Sequence, residues 1–482
     1  MSEARAKRPM LIPASAAKLF LLLTLGLSAS ASQAAALDGA SLELWWGIPF
    51  AGVLLSIALF PLLAGHVWHH HYGKITAAWA LAFLLPFTAI YGAELAASTV
   101  VHALLAEYIP FVLLLTALYT VSGGIYLKGN LRGTPLLNTS ILAVGTVLAS
   151  FMGTTGASML LIRPLLRAND DRKHRAHVVI FFIFLVSNIG GSLTPLGDPP
   201  LFLGFLKGVG FFWTAQHIWP ETLFLVVVLL ALFYALDSWF YRNEPRSRFN
   251  ASPTDSSMLR IEGGMNFVWL AAIVALVLMS GIWKPTTQFE LMGTVVGLQS
   301  AVRDIGFIVI TVLSLQFTAK NIYQANQFSW GPMQEVAKLF AGIFITIIPV
   351  IAMLQAGTSG AFASIVQAVT DSDGQPIPAM YFWATGILSG FLDNAPTYLV
   401  FFNTAGGDAA VLMTSMAATL TAISAGSVFM GALSYIGNAP NLMVKAIAED
   451  RGVAMPSFFG YIVWSFAILV PLYLLVTWIW YL

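Results

Sequence analysis

The sequence predicts an all-α polytopic membrane protein, an inverted repeat with two re-entrant hairpins and two broken helices. Three observations carry that expectation. Of 482 residues, 58% are hydrophobic and only 9% charged, with a mean hydropathy of +0.80, whereas soluble chains carry about 25% charge. Many apolar windows reach the roughly 20 residues a helix needs to cross a bilayer. A pair of polar breaks also recurs at a fixed offset along the chain. The composition excludes most soluble enzymes and the disordered and fibrous classes. The 23 Lys+Arg nearly balance the 22 Asp+Glu, so no global field points to nucleic acid as a partner. The absence of cysteine removes disulfides, thiolate metal sites and a cysteine nucleophile. No Gly-rich phosphate loop ending in Gly-Lys-Ser/Thr occurs, so no cofactor is expected and any transport would be gradient-driven.

Residues 1–36 have Arg5, Lys7, Arg8 and Lys18 ahead of an apolar run from Leu19 to Leu27, then small residues to Ala36. This is the order of a signal peptide; an uncleaved first helix is the alternative. The first repeat, 37–240, holds apolar segments at 44–65, 75–90, 109–127, 136–167, 176–213 and 218–240. A cytoplasmic linker is expected over 241–264. The second, inverted repeat, 265–482, holds segments at 266–283, 303–318, 333–355, 378–403, 408–448 and 458–482. Gly197-Asp198-Pro199-Pro200 matches Gly437-Asn438-Ala439-Pro440, 240 positions later. Phe151-Met152-Gly153-Thr154-Thr155 stands 240 positions before Phe391-Leu392-Asp393-Asn394-Ala395. Such repetition reads as an internal duplication.

Segments 136–167 and 378–403 break near their middles and read as hairpins. Segments 176–213 and 408–448 read as helices unwound in mid-membrane, where free backbone is tolerated only if buried in protein or lining a cavity. Each half then crosses five times, giving ten spans, and an odd number inverts the second half. The basic loop Arg163, Arg167, Arg172, Lys173 and Arg175 should be cytoplasmic, with Arg242, Arg246, Arg248, Arg260, Lys445 and Arg451. The loop from Asn403 to Asp408 and the stretch with Glu94 and Glu107 should lie outside. The histidines His66, His69, His70 and His71 fall in a short cytoplasmic loop on this reading.

Hairpin tips and unwound helices can converge at the midplane, as a secondary-transporter site requires. Asp198 and Asp393 are the acids in these breaks, and an intramembrane carboxylate by default faces a cavity or a partner. A carboxylate beside free carbonyls offers hard oxygens for Na⁺ and can bind a proton when the metal ion leaves. Candidate ion-binding residues are Asp198, Asp393, Asn394, Thr154, Thr155, Asn188, Thr397 and Asn438, with Asp198 and Asp393 as the Na⁺ ligands. Gly197, Pro199, Pro200, Pro396 and Pro440 set the breaks. An intramembrane aspartyl protease is disfavoured: Pro195 stands where a Gly-x-Gly-Asp sequence needs glycine, and no Tyr-Asp partner exists. No enzyme activity is expected.

The stretch from Ser187 to Leu206, SNIGGSLTPLGDPPLFLGFL, with LDNAPT and SYIGNAPN in the second half, resembles the ion transporter superfamily, most closely its NhaD-type sodium/proton antiporters. The resemblance runs from about residue 45 over most of the chain. It implies Na⁺ (or Li⁺) exchanged for H⁺ across a bacterial inner membrane by a homodimer. The alternative is a carrier for citrate, a dicarboxylate or arsenite, since such carriers look similar overall. Dicarboxylate members carry Ser-Asn-Thr at both tips; here the tips read Gly-Thr-Thr-Gly and Asp-Asn-Ala-Pro, and an acid at a tip argues against a dianion.

Overall fold

The computed structural model describes residues 37–129, 131–244 and 260–482. The expected signal peptide, and Arg246 and Arg248 of the linker, lie outside the described residues. Eight of the described helices are long and apolar enough to cross a membrane, and the bent pair Gly331–Thr346 and Ile348–Gln355 makes a ninth. The chain is a multi-pass, mostly helical membrane protein. Its lipid-compatible exterior is visible in exposed Leu63, Leu85, Phe317, Val463 and Trp478, the surface a bilayer solvates.

The long spans are Leu44–Leu63, Gly65–Tyr91, Ala93–Gly123, Pro135–Met152, Trp213–Arg242, Met265–Ile282, Leu298–Phe317 and Phe458–Tyr481. Several depart from the segments read off the sequence. The four histidines lie not in a loop but in the first turns of the Gly65–Tyr91 helix. The stretch with Glu94 and Glu107 is helical too, and Glu107 is buried in a span. Segment 109–127 is only the second half of this helix, because the first half carries Glu94, Ser98, Thr99 and His102. The hydroxyls of Ser98 and Thr99 donate back to the Leu95 carbonyl at 3.0 and 2.6 Å, so they cost the helix little. Segment 303–318 starts earlier, at Leu298, and Arg303 pairs with Asp304 inside it at 2.8 Å.

Around the breaks, Pro135–Met152 runs into Thr154–Ala168 through Gly153, and Pro378–Phe391 into Asn394–Thr404 through Asp393. The first arm, at 18 residues, is longer than the half-span expected of it. Segment 176–213 is helical over Ala176–Leu185 and Pro199–Leu206 and irregular between; it ends at Gly208, whose φ of 106° reverses the chain. Segment 408–448 is not one broken helix. A short helix, Ala409–Met413, stops at Thr414, and the halves proper are Ala417–Phe429 and Ala439–Asp450.

The 240-position offset is repeated in hydrogen bonds. The Thr194 hydroxyl donates to the Ser150 carbonyl, and the Ser434 hydroxyl to that of Gly390. Each hydroxyl also accepts from a backbone N–H two residues on, both at 3.2 Å. Hydroxyls therefore satisfy the backbone at both breaks, as buried polar groups require.

Basic residues collect at one end of the molecule. Arg167 donates to Tyr126 Oη and the Leu127 carbonyl, each at 2.7 Å. Strand Tyr126–Lys128 pairs antiparallel with Arg260–Glu262. Arg451 meets Asp170 at 2.9 Å, and Arg175 donates to the Gly452 carbonyl at 3.1 Å. Elsewhere Gln355 donates to Asn403 at 2.8 Å, and Gly39 approaches the Ala352 carbonyl.

Candidate functional site

Four half-helices begin together, at Thr154, Pro199, Asn394 and Ala439. The residues that precede them are Gly153, Asp198, Asp393 and Asn438, the residue types that suit a helix N-terminus. Pro at the first position of the second half-helix removes only an N–H that would have no helical partner. The four positive dipole ends, each worth about half a charge, favour negative charge where they meet.

Asp198 occupies that point and is 1% exposed. Its Oδ1 accepts from the Thr154 hydroxyl at 2.9 Å and from the Asn438 amide at 3.1 Å. Its Oδ2 accepts from the Asn394 amide. The three donors stand at three other helix breaks, one in the first half of the chain and two in the second, so the carboxylate ties the four breaks together. Its side chain caps none of its own helix's N–H groups. Capping therefore does not explain the residue. Asp393 differs: its Oδ1 accepts from the Ala395 N–H at 3.1 Å, an ordinary cap. Yet its backbone stands at φ 134°, a conformation that favours glycine, and Gly153 fills the equivalent place in the first half with φ 79°.

Asp198, Asp393, Asn394, Asn438, Thr154 and Thr155 line one cavity of about 100 Å³. Leu114, Leu118, Tyr119, Met333, Phe340 and Met443 supply much of its apolar wall, and among the described residues no Lys, Arg or His borders it. Asn394 Oδ1 is buried without a hydrogen-bond partner, an acceptor whose desolvation nothing offsets. Two sequence candidates fall outside the lining. Thr397 donates to the Asp393 carbonyl at 2.7 Å. Asn188 stands one step back, donating to Asn441 Oδ1 and the Ile183 carbonyl, each at 2.8 Å, and accepting from Asn438 at 3.3 Å. Gly197, Pro199 and Pro200 sit at the first break, and Pro396 and Pro440 in the first turns of their half-helices.

Sequence reasoning missed a second polar core. Asp237, fully buried, meets Arg172 at 2.6 Å and His177 at 2.7 Å and accepts from Asn138 at 2.9 Å. Asn138 and Asn169 exchange amide bonds. The signal available was Asp237 itself, a lone acid near the end of an apolar run. Among the described residues no three of His, Cys, Asp and Glu gather as a metal site.

A family model described as "Putative citrate transport" matches residues 39–481. An uncharacterized transporter of Mycobacterium bovis and one of Mycobacterium tuberculosis are each 24% identical over 330 residues, covering 67% of this chain and 71% of theirs. These matches make the chain a transporter and do not single out the sodium/proton antiporters. The chain belongs to the family described as putative citrate transport.

Proposed function

We propose that this protein is a secondary active transporter that exchanges Na⁺ (or Li⁺) for H⁺ across a bacterial inner membrane. The observation that carries the reading is the lining of the small cavity. It offers two carboxylates, amide and hydroxyl oxygens and, among the described residues, no basic side chain, the donor set of a hard cation. Asp198 and Asp393 supply the charge, and Asn394, Asn438, Thr154 and Thr155 the neutral oxygens. Its volume of about 100 Å³ lies below the roughly 300–1,000 Å³ of pockets for drug-sized ligands, and a tricarboxylate would bring like charge to Asp198.

Residues 37–240 and 265–482 act in this reading as inverted repeats, and 136–167 and 378–403 as re-entrant hairpins. The contacts support it. The base of the first hairpin lies with Tyr126 and the basic loops, and that of the second with Gln355, at the far end of the bent helix that starts at Gly331. Alternating exposure of the cavity then moves the ion.

A citrate or other anion carrier is the second reading. The family description favours it, and so do the four helix N-termini, which suit an anion. Calorimetric titration of the purified chain with NaCl, LiCl, KCl and citrate separates the two. Saturable binding of Na⁺ or Li⁺ that weakens at least about hundredfold in Asp198→Asn supports the cation reading. Binding of citrate alone moves the anion reading to first place.

A further inference from the structure

Glu107 and Lys207 form an ion pair. Glu107 is buried within the Ala93–Gly123 span, where a carboxylate needs a partner. It sits on a π-helical segment, Ala103–Tyr108, a distortion that recurs at functional sites. Lys207 follows the last residue of the half-helix Pro199–Leu206, where the dipole favours a cation. The other end of that half-helix begins at Asp198. Eight residues at about 1.5 Å each separate the site carboxylate from the ion pair by about 12 Å.

The half-helix thus meets the Ala93–Gly123 span at two levels. Towards Gly123, Leu114, Leu118 and Tyr119 of the span line the site cavity along with Pro199 and Phe202. Towards Ala93, a second cavity of about 610 Å³ is lined by Leu105 and Ala106 of the span with Phe205, Leu206 and Gly208. These residues flank Glu107 and Lys207 in the chain. The pair therefore stands beside the larger cavity, on the side of the site away from the end where Tyr126 follows Gly123. Sliding the half-helix along the span by more than a few Å separates Lys207 from Glu107.

We infer that the Glu107–Lys207 pair closes the site towards the larger, outer cavity, and that it separates when the site turns to face that side. The inference rests on the alternating-exposure reading above but not on which solute is carried. Both are positioning residues, for neither lines the site cavity.

The chain has no cysteine, so Thr155→Cys places a single thiol at the hairpin tip in the site. A membrane-impermeant maleimide applied to right-side-out and to everted vesicles reads the ratio of outer to inner labelling. Glu107→Gln and Lys207→Gln are expected to raise that ratio on the order of tenfold, the effect of one charge-assisted bond. Exchanging the charges, Glu107→Lys with Lys207→Glu, is expected to bring it back towards the starting value. Ratios unchanged in both single variants overturn the inference, as does a raised ratio that the exchange leaves raised. Misfolded protein would label from both sides and be recognised by that. Failure of Na⁺ binding in calorimetry would leave this outcome standing, so the two claims fail separately.

Discussion

At Asp393 a carboxylate is held in a backbone conformation that costs a non-glycine residue about 1–3 kcal/mol, while its counterpart Gly153 holds a similar one freely. Strain of that kind persists where the side chain is needed. Asp393→Gly is expected to raise stability in detergent by about 1 kcal/mol, since glycine at a cap costs only a few tenths. The same change is expected to abolish the response to Na⁺. Thermal melting and vesicle assays on one preparation check both, and a stabilised variant with full activity would remove Asp393 from the site. Asp198 was legible in the sequence because an acid between Gly197 and Pro199 in an apolar run has few structural uses. The cap made by Asp393 was not, because capping and ligation call for the same residue type at the same place.

Among the elements, the breaks at Gly, Pro, Asp and Asn inside apolar runs were legible: the helices that start at Thr154, Pro199, Asn394 and Ala439 do so where those residues cluster. Of the Ala93–Gly123 helix only the second half was legible, as segment 109–127, because Glu94, Ser98, Thr99 and His102 interrupt the first half. The Asp237 core escaped for another reason, its partners lying 60 and 99 positions away for His177 and Asn138. That core fixes the Pro135–Met152 helix and the loop at Asn169 and Arg172 to the Ala176–Leu185 and Trp213–Arg242 helices. Both Arg172 and Asp237 are almost wholly buried, so removing one partner strands the other. Arg172→Met is expected to cost about 3–5 kcal/mol, and Arg172→Met with Asp237→Leu much less. Thermal melting of the single and double variants tests this; equal losses in both would mean the pair has no energetic coupling.

For the whole molecule, basic residues such as Arg167, Arg175 and Arg451 hold neighbouring loops together, in loops the positive-inside rule would assign to a cytoplasmic face. Sidedness itself is open to a direct check in this cysteine-free chain. Asp171→Cys is expected to react with an impermeant maleimide only in everted vesicles, and Gly406→Cys only in right-side-out ones. Reaction of both from one side would contradict inverted repeats. The 240-position offset of the two breaks was legible in the sequence, and the hydrogen bonds of Thr194 and Ser434 keep the same offset. Substrate was less legible, because a site built of helix N-termini and carboxylates suits a cation by its side chains and an anion by its dipoles.

The most direct test of that balance is transport in everted vesicles from bacteria without their own sodium/proton antiporters. Respiration sets up the pH gradient, a quenched acridine dye reports it, and NaCl, LiCl, KCl or citrate is added. Dequenching by Na⁺ or Li⁺ that disappears in Asp198→Asn and Asp393→Asn is the expected result. Silence towards every cation, with labelled citrate taken up instead, would contradict the exchange of sodium for protons at this site.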